Sequence, residues 1–477
     1  MPEPGSTEKA PAAFPWARPR HELLLLALVS VATLAVMVPS GAQDISRLCL
    51  TRSLTHGHLS ADSCLSAGSD RAEFGGNLYS DKAPALSFFG VPAQVILRLQ
   101  SATVWPKPAT RRLWLMRVWA GGIFLIGCAL LVGRVAEGLA PGWGGGALVT
   151  FAAGTLAGSL AVASFDEVPA AAVGFAAFLL AWRGRPASAG LAAGLLPVVE
   201  YQAAFVVVAL AAFAAVAGRR ALGRYLLGVV PGVLLLGLYD RLAFGSPFHL
   251  SYRYVGAQFA AQQASGFFGI HAPRLHAIRV VLVGDRGLLV DAPILVLAAA
   301  GLVLLWRRGY RPQAAICAAV TLGYLALEFG YFDPFGGDSP GPRFFAPALP
   351  FLAIGLGPAF ARWRASASVL AVLGVVSSTA IALTWFGAAN TALHYHWSVW
   401  RELALFPLHG ASSQLARWAP KTMLGGLHIG PLGAMVAVFA AALAAIAIAL
   451  RDGWLARPPA PIPVQPAPQL GGSGEKL

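Results

Sequence analysis

Charge is what this sequence has least of. Asp, Glu, Lys and Arg make up only 12% of its 477 residues, against 57% hydrophobic. A soluble domain carries about 25% charged residues. So few charges cannot cover a water-facing surface, and lipid must cover much of it instead. Other absences narrow the field. No window reads as a separate soluble domain. No Gly-rich loop follows a strand, which argues against a bound nucleotide sugar. No internal repeat suggests a transporter built from duplicated halves. The net charge of +14 comes with no basic-aromatic stretch long enough to track a nucleic acid.

What is present is a series of apolar runs. Twelve candidate spans fall near 23–41, 113–133, 145–164, 168–182, 188–200, 203–218, 225–240, 292–306, 313–330, 346–360, 367–385 and 431–450. The first follows Arg18 and Arg20 and ends near Ser40-Gly41-Ala42. It reads as an uncleaved transmembrane helix rather than a cleaved signal peptide. The expected organisation is a cytoplasmic N-tail (1–21), a transmembrane domain (22–456) with a first outer loop at 42–112, and a disordered Pro/Gly-rich C-tail (457–477).

The segment Pro84–Val104 is long enough to span but carries Pro92, Gln94, Arg98 and Gln100. Leu86, Phe89, Ile96 and Leu99 are expected on one face, with Gln94 and Arg98 on another. We read it as a helix lying in the interface. That choice puts the Arg-rich loops at Arg183/Arg185, Arg219/Arg220, Arg307/Arg308 and Arg362/Arg364 on the side of the N-terminus, the positive-inside pattern. Most carboxylates then gather on the opposite, outer face. Cys128 and Cys317 sit in apolar runs as packing residues, whereas Cys49 and Cys64 share the first polar loop and can pair if it faces an oxidising compartment.

Several polar residues mark the outer helix ends. Asp44 and Arg47 follow the first helix, and Tyr79-Ser80-Asp81-Lys82-Ala83-Pro84 leads into the interfacial helix after a Gly75-Gly76 turn. Taken singly, Lys82 reads as a snorkelling lysine and Asp44 as a helix cap. His394 and His396, beside Tyr395 and Trp397, read as an aromatic belt rather than a zinc site.

Together these features resemble the GT-C glycosyltransferase superfamily. The likeness is to the branch of aminoarabinose transferases and protein mannosyltransferases (glycosyltransferase family 39-like). Asp44 and Arg47 look like that branch's Asp-Glu-x-Arg-Tyr motif, with Ile45 in place of the second acid and no Tyr after Arg47. Tyr79, Asp81, Lys82 and Pro84 look like its Tyr-Phe-Glu-Lys-Pro motif. Phe165-Asp166-Glu167-Val168-Pro169, Glu200-Tyr201 and the Gly336–Phe344 stretch are similar to its later outer loops.

The resemblance implies an all-α, GT-C-like bundle in the cell inner (plasma) membrane, with its active site on the periplasmic side. It implies a glycosyltransferase using a polyprenyl-phosphate sugar, membrane lipids around it, and a lipid, glycan or protein acceptor. The rival expectation is a transporter or flippase of lipid-linked sugar with no transfer chemistry. In the expected inverting displacement Asp44 is the base and Asp166 assists it. Lys82, Arg343 and Arg47 hold the donor phosphate. Tyr79, Asp81, Glu167, Glu200 and Tyr201 contact substrate. No cofactor is implied, and the acids leave room for a divalent metal without any ligand being assigned.

Overall fold

The computed structural model describes residues 14–38, 41–66, 69–97, 111–161, 163–337, 339–389, 398–401, 403–404 and 431–456. Asp338, the His394–Trp397 belt, Glu402 and the C-tail lie outside the described residues. The chain folds as an all-helical membrane bundle. Its main helices are α1 (Glu22–Leu34), α2 (Ala42–Leu54), α3 (Ala85–Leu97), α4 (Leu113–Leu139), α5 (Gly144–Ala153) and α6 (Leu156–Ala161). They continue as α7 (Glu167–Trp182), α8 (Pro186–Val199), α9 (Tyr201–Val216), α10 (Arg219–Phe244), α11 (Leu275–Asp291), α12 (Leu295–Arg307) and α13 (Arg311–Gly330). The last are α14 (Arg343–Ala353), α15 (Leu356–Arg362), α16 (Arg364–Thr384) and α17 (Met435–Leu455).

Five of these are long and apolar enough to cross a membrane: α4, α10, α13, α16 and α17. Two bent pairs, α11–α12 at 81° and α14–α15 at 57°, raise that to seven. Most of the other expected spans appear as shorter apolar helices. The 145–164 run is broken into α5 and α6 at Gly154-Thr155.

Small residues set the closest contacts. A Cβ on Gly232 of α10 would fall 2.0 Å from the Gly194 carbonyl oxygen of α8. The hairpin formed by α8 and α9 therefore lies tight against α10, and backbone meets backbone where only glycine fits. That hairpin carries Glu200 at its tip.

Between α2 and α3, strands β1 (Arg71–Phe74) and β2 (Asn77–Ser80) pair antiparallel, with Phe74 opposite Asn77. Gly75 and Gly76 both have positive φ, 60° and 83°. That is the turn a two-residue hairpin needs. Cys49 of α2 is bonded to Cys64. The segment after it is anchored by Ala61 N–H, which donates to Leu78 O, and by Leu78 N–H, which donates to Asp62. The disulfide thus links α2 to the hairpin that carries Asp81 and Lys82. Closing a 15-residue loop contributes about 3 kcal/mol. Cys49→Ser is expected to lower thermal stability accordingly, and reductant is expected to lower the wild type to the same level, as read by unfolding in detergent.

Helix α3 corrects one expectation. Its buried side holds Leu86, Ser87, Gly90, Ala93 and Gln94, while Val95 and Ile96 face outward and the partly exposed Phe88 and Phe89 rings pack on Tyr239 and Trp119. Gly90 packs against Thr51 and Met116, a contact too close for a large side chain. Val95 and Ile96 therefore point away from the protein and Gln94 points in, the arrangement a helix adopts when lipid, not water, is outside, while the Phe89 ring packs on Trp119 and Phe124.

Candidate functional site

Asp44 begins the site. It lies in the first turn of α2 and is 3% exposed. Its carboxylate accepts from Arg117 Nε at 3.0 Å and from the second Arg117 nitrogen at 2.8 Å. It also accepts from the Gly41 amide at 2.9 Å and the Ser164 amide at 3.1 Å. Burial alone would raise its pKa, but the Arg117 charge and these hydrogen bonds hold it below the usual carboxylate range. Asp44 therefore locks α2, α4 and the segment before α7 together. A proton acceptor needs a free lone pair, and this carboxylate has its oxygens taken.

One turn further along α2, Arg47 is also buried. Its guanidinium pairs with Asp166 at 2.5 Å and donates to the Gln43 side chain at 2.8 Å. Asp166 immediately precedes α7, and Glu167 is that helix's first residue. Glu167 pairs with Arg343 at 3.0 Å. Arg343 also donates to Gly336 O at 2.7 Å and lies over the Phe344 ring at 4.6 Å. Glu200 joins from the tip of the α8–α9 hairpin, and one of its carboxyl oxygens lies within 4.8 Å of an oxygen of Asp166 and of Glu167. Burial and the charges of Asp166 and Glu167 push its pKa well above the ordinary value. Asp166, which burial alone would raise, is held low by Arg47.

Lys82 completes the cationic set. It follows β2 directly, and its Nζ lies 3.0 Å from Asp70 and 3.4 Å from Asp81. Burial alone would lower its pKa, yet the two carboxylates carry it to about 12. Asp81 moves the other way: burial dominates and raises it to about 6, with Lys82 opposing and Asp70 adding to the rise. Backbone contacts fix this corner. Ser80 and Ser46 share a hydroxyl bond at 2.8 Å, joining β2 to α2. Ser251 donates to Asp81 O at 2.6 Å and is bonded to the Tyr201 hydroxyl at 3.0 Å.

An apolar cavity of about 1020 Å3 adjoins this polar cluster. Tyr79, Pro84, Phe88, Pro169, Val199 and Tyr239 are among its walls. Pro84, Pro169 and Val199 stand one or two residues from Lys82, Glu167 and Glu200, so the same segments carry the cavity walls and the charged groups, which do not themselves line it. Tyr79 packs on Phe244 and faces the cavity rather than the carboxylates.

The structure thus gathers Arg47, Asp81, Lys82, Asp166, Glu167, Glu200 and Arg343 into one region, with Tyr201 at its border. Sequence reasoning did not single out four others. Arg117 lies inside an apolar run and reads there as a helix-end charge. Asp70 stands eleven residues from Asp81 and meets Lys82 only through the hairpin. Tyr252 meets Tyr201 edge-on, with ring centroids 5.1 Å apart, in the field of Glu200, Asp166 and Asp81. Tyr324 is a buried phenol on α13. Only Asp70, within the motif-bearing loop, carried a signal that could have found it.

A buried cluster of cations and carboxylates lies at one end of a polytopic membrane bundle, beside an apolar cavity, and the fold of that bundle is like that of solved membrane-protein structures. The particular likeness is to ArnT from Cupriavidus metallidurans bound to undecaprenyl phosphate, with TM-score 0.50 and 13% identity over 91% of this chain and 76% of that one. The apo state of the same ArnT gives 0.47 at 14% identity, covering 90% and 76%. No protein-family profile and no curated protein matches the sequence.

Proposed function

We propose that this protein transfers a glycosyl group from a polyprenyl-phosphate sugar to an acceptor hydroxyl on a lipid, glycan or protein. The observation that carries the reading is the meeting of Lys82 and Arg343 with buried carboxylates, together with a 1020 Å3 apolar cavity walled by Tyr79 and Pro84 on the Lys82 side and by Pro169 and Val199 from the segments that carry Glu167 and Glu200. An isoprenoid carrier has the same two-part chemistry, a long apolar tail and an anionic head. The ArnT structure bound to undecaprenyl phosphate shares the fold and supports the reading.

In the proposed step the acceptor oxygen bonds to the anomeric carbon as the carbon–oxygen bond to phosphate breaks. The bonding pair leaves with the phosphate, and the configuration inverts. Lys82 and Arg343, with Arg47 behind them, stabilise the charge that grows on the departing phosphate. The acceptor's proton goes to a carboxylate. Asp44, expected from sequence to be that base, is saturated by Arg117 and two amides, so we assign the role to Asp81. Asp81 is buried, is held only at 3.4 Å by Lys82, and has one oxygen without a hydrogen bond. A base with a pKa near the operating pH works best. Tyr252 and Tyr201 border the space where the sugar would sit.

Two features support an extracytoplasmic site in the cell inner (plasma) membrane. Arg183 and Arg185 close the end of α7 opposite Asp166 and Glu167, as the positive-inside pattern expects of a cytosolic end. The Cys49–Cys64 disulfide belongs to the same loop as Lys82 and suits an oxidising compartment.

The test is a transfer assay with purified protein, a polyprenyl-phosphate sugar and an acceptor extract, run across pH. Asp81 accepts a proton only when ionised, so kcat is expected to fall as pH drops through about 6. Asp81→Asn is expected to lower kcat by about 10²–10⁴ and to abolish that acid limb. Movement of lipid-linked sugar across the bilayer without transfer would overturn the proposal in favour of a flippase.

A further inference from the structure

We infer that Asp166, Glu167 and Glu200 form a binding site for one divalent cation of the oxygen-preferring kind, Mn²⁺, Ca²⁺ or Mg²⁺, joining the start of α7 to the tip of the α8–α9 hairpin. One ligand oxygen from each of the three lies within 4.8 Å of the others, and all three residues are buried. Donors on opposite sides of a single Ca²⁺ stand about 5 Å apart. One ion can therefore touch all three without moving a helix. The donor set contains no sulfur and no imidazole, which favours a hard cation over zinc or copper.

The orientation of the carboxylates points the same way. Arg47 pairs with Asp166 through Oδ2, and Arg343 pairs with Glu167 through Oε1. Each guanidinium thus takes one oxygen and leaves the other. Asp166 Oδ1 and Glu167 Oε2 are buried, and no protein N–H or hydroxyl reaches them. Unsatisfied buried carboxylate oxygens are costly unless something positive meets them.

A second and independent group faces this place from a different helix. The Tyr324 hydroxyl on α13 is buried, has no hydrogen-bond partner, and sits in the field of Glu200 and Glu167. A buried phenol oxygen with no hydrogen-bond partner is costly unless something meets it. A cation, directly or through a bound water, satisfies it.

Carboxylates outnumber cations here: Asp70, Asp81, Asp166, Glu167, Glu200 and Glu328 are gathered with Arg47, Lys82 and Arg343. Asp44 and Arg117 cancel each other nearby. The ion would hold the α8–α9 hairpin against α7, and so fix the segment through which Asp166 steadies Arg47 and Glu167 steadies Arg343. This inference does not depend on which group the protein transfers.

The test reads binding, not activity. Full-length protein in a zwitterionic detergent is stripped with EDTA and titrated with Mn²⁺ while the free-ion electron paramagnetic resonance signal is followed. Wild type is expected to remove one equivalent. Glu200→Gln and Glu167→Gln are expected to weaken binding by at least about tenfold, while Glu73→Gln, on the exposed hairpin, changes nothing. Ca²⁺ or Mg²⁺ is expected to compete. Mn²⁺ is also expected to raise the thermal midpoint of wild type but not of Glu200→Gln, a comparison that stands even if one variant folds poorly. Failure of wild type to bind at ~1 mM Mn²⁺, or undiminished binding by both variants, would overturn the site.

Discussion

Lys82→Met is expected to reduce glycosyl transfer by about 10²–10³, mainly through kcat. The reason lies in where the charge is needed. As the bond to phosphate breaks, negative charge grows on the departing oxygen, and a fixed cation there stabilises the transition state more than the ground state. Lys82 is suited to that task because Asp70 and Asp81 hold it protonated, with a pKa of about 12. The substitution also removes the shared partner of two buried carboxylates, which by itself is destabilising. The double variant Lys82→Met/Asp70→Asn separates the two effects. It is expected to recover thermal stability and not to recover transfer. Recovery of both would reduce Lys82 to a structural counter-ion.

Asp44→Ala is expected to lower stability by about 3–5 kcal/mol, the largest structural effect at this end of the bundle. Its carboxylate receives two hydrogen bonds from Arg117 and one each from the Gly41 and Ser164 amides. Removing it leaves the buried Arg117 charge without its carboxylate. Because the folded-state pKa of Asp44 is depressed, this contribution is present above the ordinary carboxylate range and is lost as pH falls through the folded value. Asp44→Asn is the sharper variant. It keeps the shape and part of the bonding, so the fraction that folds is expected to retain kcat within about tenfold, against the 10²–10⁴ expected for loss of a general base. Thermal unfolding in detergent and kcat per folded molecule check the two parts.

Much of the fold was legible because hydropathy dictates it. Apolar runs located the membrane helices, and Pro84 and Gly75-Gly76 marked the start of α3 and the turn before it, though not α2 or the strands beside that turn. The faces of α3 were not legible, since a pattern of apolar and polar positions does not say whether lipid or protein covers the apolar side. Nor was the break between α5 and α6, which falls inside one continuous apolar run.

The site was legible as a set of residue types at helix ends, and not as pairings. Nothing in the sequence couples Arg117 to Asp44 across 73 positions. That single pairing changes what Asp44 can do. Likewise Tyr252 and Tyr324 enter through loops and helices whose approach to the cluster is a matter of packing. Short-range motifs find the residues the chain delivers locally. They miss partners supplied by elements far along it.

The most direct measurement is equilibrium binding of undecaprenyl phosphate and of undecaprenol, its uncharged counterpart, to purified wild type and Lys82→Met. The account predicts that wild type prefers the phosphate form by at least about tenfold, in line with ~1.5–3 kcal/mol for a hydrogen bond to a charged group, and that Lys82→Met largely erases the preference. Equal binding of the two lipids by wild type, or a preference untouched by the substitution, would contradict it.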